Sequence, residues 1–419
     1  MNTNQILKQQ IELIKPGKDT LEAIKKTAKE FTTNLQSKLK NKKIRADVFI
    51  GGSLAKETLL KKKKYDVDVF VRFDEKYEDD KISNLLGKLL NKAKRVHGSR
   101  DYYKTLIKGI IFEVIPVIKI KNQKEARNIT DLSYFHVKYI KDKLIKNKKF
   151  ADEILLAKTF THAQNCYGAE SYIHGFSGYS LELLICHYGS FLNFIKNAVK
   201  AGNEKIIIDD KKFYKDKNEI LRELNESKIQ SPIILIDPTF KNRNALAGLS
   251  EDTFNKFREN CKAFLKNSSS SFFEKKEIFE ELKKKYKNDL KIVKIKTGKQ
   301  RGDIAGSKSK KFFNFFCQML EKEFKIKLKE FEYDEDENLA YFYLAINKKE
   351  DEIIKGPPAD NANNLSRFKK AHKNAFIKNN FAHAKIKHSL SLEKFLEMFR
   401  KKYKKIIKEM SVEKMNLIE

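Results

Sequence analysis

A glycine pair and two closely spaced aspartates are the residues of this chain whose types and spacing point most directly to chemistry. Gly51-Gly52-Ser53 predicts a tight turn into a short helix, which leaves backbone N–H groups free to hold phosphate oxygens. Asp66 and Asp68 follow in an apolar run, and residues at i and i+2 of a strand point to the same face. Two adjacent carboxylates repel each other unless a cation lies between them. Mg²⁺ carrying a nucleoside triphosphate suits that position, so the pattern predicts nucleotidyl transfer.

A third acid, Glu113, lies in an otherwise apolar segment, residues 110–118. An unpaired charge in the core of a sheet is costly, and binding a cation would explain its presence. We therefore expect Asp66, Asp68 and Glu113 to hold two Mg²⁺ ions, which would neutralise the transition state and lower the pKa of the attacking hydroxyl. The alternative for Glu113 is a salt bridge to one of the many lysines. Ser53 either bonds a phosphate or caps the helix, and the two roles are compatible.

The elements that must position these residues form a small α/β domain. Hydrophobic periodicity predicts strands at residues 46–50, 66–73 and 110–118. Between and before them it predicts helices that begin near Asp19 and that cover residues 54–60 and 79–95. This order of helices and strands predicts that the small α/β domain ends near residue 145.

Beyond this domain the chain changes character. Residues 150–265 have mostly helical periodicity, and the polar run 266–271 is the clearest junction. We then expect a helix at about 308–324, a hairpin with strands 325–333 and 339–347, and basic helical segments at 360–383 and 391–410. The fold class is therefore multidomain α+β, with domains at 1–145, 146–266 and 267–419.

Composition favours a polyanionic partner. The chain has 419 residues, with 88 Lys plus Arg against 56 Asp plus Glu, a net charge of +32. Such an excess causes self-repulsion in the compact state and suggests nucleic acid; a merely solvated lysine surface is the alternative.

Cysteine usage and hydropathy favour a soluble cytoplasmic protein. The four cysteines lie far apart, without metal-ligand spacing, as is typical of reduced thiols in the cytosol. The N-terminus lacks an apolar signal region, and no run of 18 apolar residues occurs. We expect no membrane segment and no export.

At this point a resemblance becomes specific. The Gly51-Gly52-Ser53 and Asp66-Val67-Asp68 motifs resemble those of the polymerase-β-type nucleotidyltransferase superfamily. Within it, the chain resembles the class I, archaeal-type CCA-adding enzymes, also called tRNA nucleotidyltransferases. The segments that carry this narrower likeness are residues 126–136, Lys158, residues 167–170, residues 175–184, residues 236–238 with 242–244, residues 355–358 and residues 368–372.

The resemblance implies a role for each matching residue. It implies a polymerase-β-like head with a mixed sheet and helices, a helical central domain, and an α+β body and tail. Asp66, Asp68 and Glu113 match the metal ligands, and Arg243 matches the arginine that reads the Watson–Crick edge of the incoming base. The residues that match positions for the triphosphate and the nearby sugar are Gly52, Ser53, His136, Lys158 and Tyr167.

The resemblance also implies an activity. Such an enzyme adds C, C and A in turn to the 3′ end of immature or damaged tRNA, from CTP and ATP and without a nucleic-acid template. Its tail would bind the tRNA acceptor stem and elbow and recognise them by backbone and shape. The sequence does not decide whether the chain forms a homodimer. The alternatives are another terminal transferase, such as a poly(A) polymerase, and a catalytically silent RNA-binding relative.

One segment departs from the family pattern. Residues 61–64 are four lysines, where the family more usually has a short glycine-containing turn. The lysines form either a solvated loop beside the active site or an extra contact with tRNA phosphates.

Overall fold

The computed structural model describes residues 2–275 and 277–418. The chain divides into two compact units, Met1–Lys275 and Lys276–Glu419. The three predicted domains, 1–145, 146–266 and 267–419, stay predictions. No helix in the described ranges is long and apolar enough to cross a membrane.

The first unit begins with a mixed five-stranded sheet and its helices. Its elements are α1 (Thr3–Ile14), α2 (Lys18–Asn41), β1 (Ala46–Ile50), α3 (Gly52–Ala55), β2 (Tyr65–Phe73), α4 (Asp79–Leu89), β3 (Lys94–Val96), β4 (Tyr102–Ile107) and β5 (Ile110–Ile118). The strand order is β1-β2-β5-β4-β3. β2 and β5 run parallel, whereas β1 with β2 and β4 with β5 are antiparallel.

Side-chain alternation along β2 separates the core from the chemistry. Val67, Val69 and Val71 are fully buried and pack in one cluster with residues of α2 and α4 such as Ile24 and Leu86. Asp66 and Asp68 therefore project from the opposite face, because successive side chains on a strand alternate.

The remainder of the first unit is mainly helical. Its elements are α5 (Ser133–Lys146), α6 (Lys149–Ala163), α7 (Gly178–Tyr188), α8 (Phe191–Lys200), β6 (Ile206–Ile208), α9 (Lys217–Glu223), α10 (Glu226–Ile229), β7 (Ile233–Asp237), β8 (Phe240–Asn244) and α11 (Glu251–Lys266). Its core is rich in phenylalanine, with Phe160, Phe257 and Phe264 fully buried and in ring contact. The strands β6, β7 and β8 form a small sheet that the helical prediction for 150–265 missed. A short, fully buried apolar run such as β7 cannot be told from a helix by periodicity alone.

The second unit contains two further sheets. Its elements are α12 (Ile278–Tyr286), β9 (Leu290–Thr297), α13 (Gly302–Leu320), β10 (Phe324–Asp334), β11 (Leu339–Lys348), β12 (Glu352–Pro358), α14 (Ala362–Ala371), β13 (Ala375–Lys378), β14 (Phe381–Ile386), α15 (Leu392–Lys402), α16 (Lys404–Glu409) and β15 (Val412–Leu417). The strand orders are β10-β11-β9-β15 and β12-β14-β13. The hairpin β10–β11 confirms the prediction of strands joined by an acidic turn.

Three predicted elements are wrong in part. The helix expected over 79–95 ends at Leu89, and β3 follows it. The helix expected over 54–60 is the shorter α3. The helix expected over 360–383 covers only α14, after which β13 and β14 form a hairpin. The turn of that hairpin is Asn379-Asn380, both with positive φ, the geometry that a two-residue hairpin turn requires.

Candidate active site

The Gly51-Gly52-Ser53 turn lies directly against β2. The Gly51 N–H donates to the Asp68 carbonyl oxygen at 2.8 Å. Gly52 has a φ of +56°, and a Cβ placed on it would be 1.6 Å from Asp68 Oδ2. Only glycine allows this approach, because it lacks a Cβ and tolerates the left-handed conformation. The turn therefore packs against the Asp68 carboxylate without space for a side chain at residue 52.

The two aspartates of β2 sit in different electrostatic surroundings. Burial, together with the negative charges of Glu113 and Asp66, raises the pKa of Asp68 to about 6. Asp66 is more open to solvent, and its Oδ1 lies 3.0 Å from Lys62 Nζ. A cation bound nearby would therefore stabilise the charged form of Asp68.

Glu113 lies on β5 directly opposite Asp68 in the parallel register. Its Oε1 pairs with Lys104 Nζ of β4 at 2.7 Å, which is the salt bridge considered as the alternative to a metal. Among residues 2–275 and 277–418, no three His, Cys, Asp or Glu side chains are arranged as a complete metal site. The sheet thus brings Asp66, Asp68 and Glu113 to one region. Asp66 and Glu113 each pair with a lysine there.

A cavity of about 200 Å³ opens beside the aspartates. The predicted site residues that line it are Gly52, Ser53, Asp66, Asp68, Lys158 and Tyr167. Glu113, His136 and Arg243 are not among its lining residues. The cavity is framed by the turn and strand β2 on one side and by helices α6 and α7 on the other.

A buried charge cluster forms the helical wall of this cavity. Glu182 of α7 is fully buried and pairs with Lys158 Nζ at 2.9 Å and with Lys56 Nζ at 2.6 Å. Lys158 Nζ also donates to Thr58 Oγ1 at 3.0 Å. Burial lowers the pKa of Lys158, and Glu182 opposes that shift. The cluster holds two ammonium groups with one carboxylate, so it carries a net positive charge toward the cavity.

Tyr167 stands at the same wall, stacked on His162 with ring centroids 3.7 Å apart. Burial and the charges of Lys62 and Lys158 lower the pKa of His162 to about 4, so this ring is neutral at pH 7. Burial raises the pKa of Tyr167. Its hydroxyl approaches Gly178, where a Cβ would lie 2.9 Å from it. The phenol therefore presents a neutral O–H group at the start of α7.

A second cluster gathers around Asp237 at the end of β7. Arg243 Nη1 donates to Asp237 Oδ2 at 2.6 Å, and the Tyr179 hydroxyl donates to Oδ1 at 3.0 Å. His136 Nε2 lies 3.1 Å from the same Oδ2, and its ring stacks on Tyr179 at 4.1 Å. Burial alone would raise the pKa of Asp237, but its contacts with His136 and Arg243 hold it well below the usual range. Asp237 thus fixes the direction of the Arg243 guanidinium.

Comparison with known proteins identifies the family. Residues 152–274 match the family model for the tRNA nucleotidyltransferase second domain, and residues 1–133 match the second messenger oligonucleotide or dinucleotide synthetase domain. The CCA-adding enzyme of Nanoarchaeum equitans is 34% identical over 79% of this chain and 81% of its own length. The chain belongs to the CCA-adding enzyme family. The CCA-adding enzyme of Methanocaldococcus jannaschii is 30% identical over 90% of this chain and 86% of its own length.

Solved structures confirm the fold of this CCA-adding enzyme family member. A crystal structure of the Cid1 poly(U) polymerase matches with a TM-score of 0.51 over 65% of this chain and 98% of that chain. The sequence identity is 14%, so the likeness is one of fold alone. It confirms the predicted α+β nucleotidyltransferase architecture.

No individual role was predicted from sequence for three charged residues of this family member. Glu182 pairs with the predicted Lys158 and with Lys56, and Asp237 pairs with the predicted Arg243. Glu182 had a signal of its own, because it is an acid inside the apolar run of α7, as Glu113 is in β5. Asp237 lies in residues 236–238, a segment that carried the family resemblance, but it was given no role of its own; Lys56 had no local signal.

Proposed function

We propose that this chain adds C, C and A to the 3′ end of tRNA, from CTP and ATP and without a nucleic-acid template. The observation that carries the proposal is the cavity in which the glycine turn, Asp66, Asp68, Lys158 and Tyr167 meet. Two closely spaced acids beside a positive wall are what a metal-bound triphosphate requires. Family membership narrows the reaction to tRNA.

Asp66, Asp68 and Glu113 would hold two Mg²⁺ ions. The residues fit that cation, because carboxylate oxygens are the ligands that Mg²⁺ prefers. The raised pKa of Asp68, caused by burial and by its two acidic neighbours, also favours binding of a cation. When bound, Mg²⁺ would supply charge neutralisation at the triphosphate and lower the pKa of the 3′-hydroxyl. Lys62 and Lys104 would have to give up their pairs with Asp66 and Glu113.

The remaining residues would bind and orient the nucleotide. We assign the triphosphate to Gly52, Ser53, Lys158 and Tyr167, which are hydrogen-bond donors or a cation at the cavity wall. His136 matches a family position for the triphosphate and sugar, and its neighbours here are Asp237 and Tyr179.

Arg243 would select the base. Its guanidinium is a fixed fork of donors, which can meet acceptors on cytosine or adenine while pairing badly with guanine and uracil. Asp237 would restrict the guanidinium to one orientation, since it accepts from Nη1. Selection would also depend on the growing RNA end, which reshapes the pocket after each addition.

The tRNA duplex would be bound by the basic second unit and read by shape. The basic residues exposed there include Lys369, Lys370, Arg400, Lys401, Lys402, Lys404 and Lys405. Because such contacts release counterions, tRNA affinity should fall steeply with salt. The four free cysteines support a reducing, cytoplasmic setting. Sedimentation of the purified chain would test for a homodimer.

The test is nucleotide incorporation into tRNA that lacks its 3′ terminus, with each labelled NTP in turn. We expect labelling by CTP, and by ATP once two C residues are present. Long tails from ATP alone would indicate a poly(A) polymerase instead. Tight tRNA binding without incorporation would indicate a silent RNA-binding relative, and equal use of UTP or GTP would contradict the proposal.

A further inference from the structure

Three lysines line the cavity, and their carboxylate partners differ in burial. Lys56 and Lys158 pair with Glu182, and the Lys158 and Glu182 side chains are 5% and 0% exposed. Lys62 pairs instead with Asp66, where the two side chains are 41% and 43% exposed. A solvent-exposed ion pair contributes little and is easily exchanged, whereas breaking a buried pair is costly. Lys62 is therefore the cavity lysine best able to change partner.

Because Lys62 pairs with Asp66, a change of partner would affect metal binding. Asp66 is one of the acids that the proposed function assigns to Mg²⁺, so the Lys62 ammonium and the metal compete for the same carboxylate. Once the carboxylate binds a metal, the ammonium loses its partner at the rim of a cavity that is about to receive a triphosphate. A phosphate oxygen is the strongest acceptor that would then be available to it.

We propose that Lys62 changes partner during nucleotide binding: it pairs with Asp66 in the free enzyme and binds the triphosphate of CTP or ATP when the metal-bound nucleotide enters. This inference rests on the proposed function. Of the four lysines in the loop at residues 61–64, only Lys62 has this role. Lys61, Lys63 and Lys64 are exposed and are not among the residues lining the cavity.

The proposal predicts two effects of opposite sign for Lys62→Ala. Binding of CTP and of ATP should weaken about tenfold, since a charge-assisted hydrogen bond is lost. Binding of Mn²⁺ alone, in the absence of nucleotide, should become about threefold tighter, because the competing ammonium is gone. Loss of a merely structural lysine would not strengthen metal binding.

The measurements use the full chain with Lys63→Ala as the matched control, which removes the same charge from the same loop. Equilibrium dialysis with labelled CTP and Mg²⁺ reports nucleotide affinity, and electron paramagnetic resonance reports free Mn²⁺ without nucleotide or turnover. Lys62→Arg keeps the charge and should restore nucleotide binding to within about twofold of the original chain. Lys63→Ala should change neither affinity.

Each contrary outcome is informative. Equal loss of CTP affinity in both alanine variants would overturn the proposal, as would unchanged CTP affinity in Lys62→Ala. A rise in KM for tRNA alone, in both variants, would assign the loop to tRNA phosphates instead. If the original chain incorporates no CTP or ATP, the proposed function fails. If it does and the two variants behave alike, only the role of Lys62 fails.

Discussion

Asp68 and Glu113 lie directly opposite each other on the parallel strands β2 and β5. The register of a sheet, rather than the conformation of a loop, thus sets the spacing between Asp68 and Glu113. Neighbouring strands are about 4.8 Å apart, so both carboxylates can face one cation. The same proximity makes their negative charges repel when no cation is present.

Replacing Asp68 should separate catalysis from tRNA binding. We expect Asp68→Asn to lower the rate of CTP incorporation at least about 100-fold, because an essential anionic ligand is lost. The Kd for tRNA should change less than about twofold, because most tRNA contacts lie elsewhere. Asp47→Asn is the control and should keep its rate, because this exposed aspartate lies on the neighbouring strand β1, with Lys119 and Arg72 as its partners. Near-normal turnover in Asp68→Asn would disprove the metal assignment.

The raised pKa of Asp68 predicts an unusual pH dependence of stability without metal. The folded chain holds this proton up to a pKa of about 6, whereas the ordinary value is 3.8. The folded state thus binds more protons between these values, and the free energy of unfolding falls as pH rises through about 4 to 6. In EDTA, Asp68→Asn should be more stable than the original chain by about 3 kcal/mol at pH 8. The difference should vanish near pH 4, as followed by urea denaturation; a constant difference would contradict the shift.

Adding a Cβ at Gly52 should displace Asp68. The new atom would lie 1.6 Å from Asp68 Oδ2, so Gly52→Ala must move either the turn or the acid. We expect CTP incorporation to fall at least about 100-fold, since a misplacement of 1 Å at a catalytic group is that costly. Gly109→Ala is matched in backbone strain, with a φ of +78°, but meets nothing within 4 Å. Because a non-glycine residue in the left-handed conformation is strained, Gly109→Ala should cost about 1 kcal/mol of stability and leave the rate unchanged.

Removing the charge of Glu182 should leave two buried lysines without a counter-charge. We expect Glu182→Gln to lower the free energy of unfolding by about 3–5 kcal/mol, measured by urea denaturation. Lys56→Met added to that variant should recover part of the loss, because it removes one of the two unpaired ammonium groups. A double variant less stable than Glu182→Gln would show that Lys56 gains its stability from another partner.

Loss of the Asp237 charge should weaken base selection more than catalysis. In Asp237→Asn the Arg243 guanidinium loses its ion-pair partner at 2.6 Å, so its donors can take several orientations. We expect discrimination between CTP and UTP to fall about tenfold in kcat/KM, while the kcat for CTP changes less than about threefold. Asp210→Asn removes a carboxylate that contacts the His187 ring at 2.6 Å in the same unit, and it should leave discrimination intact. Unchanged selectivity in Asp237→Asn would separate Arg243 from base choice.

Short-range features of the site could be predicted because their spacing is local. The glycine turn needs neighbouring residues, and the i, i+2 spacing of Asp66 and Asp68 determines their common face on any strand. The hairpin β10–β11 was equally accessible, since its acidic turn adjoins both strands. By contrast, β3 and β4 were missed, because their short, half-exposed segments carry little hydrophobic periodicity.

By itself, the sequence determined the acid pair on one strand, the glycine turn, the family and the α+β class, because each is encoded in residue types at short spacing. Only the tertiary structure decided which charges meet. Lys56 and Glu182 are 126 residues apart in the chain, and Asp237 gathers His136 and Arg243 from α5 and β8. Such pairs form because burial removes water from a charge and requires a partner wherever the fold supplies one. The Lys62–Asp66 pair is different, because it is local and solvent-exposed; here the tertiary structure decided only that both residues line the cavity.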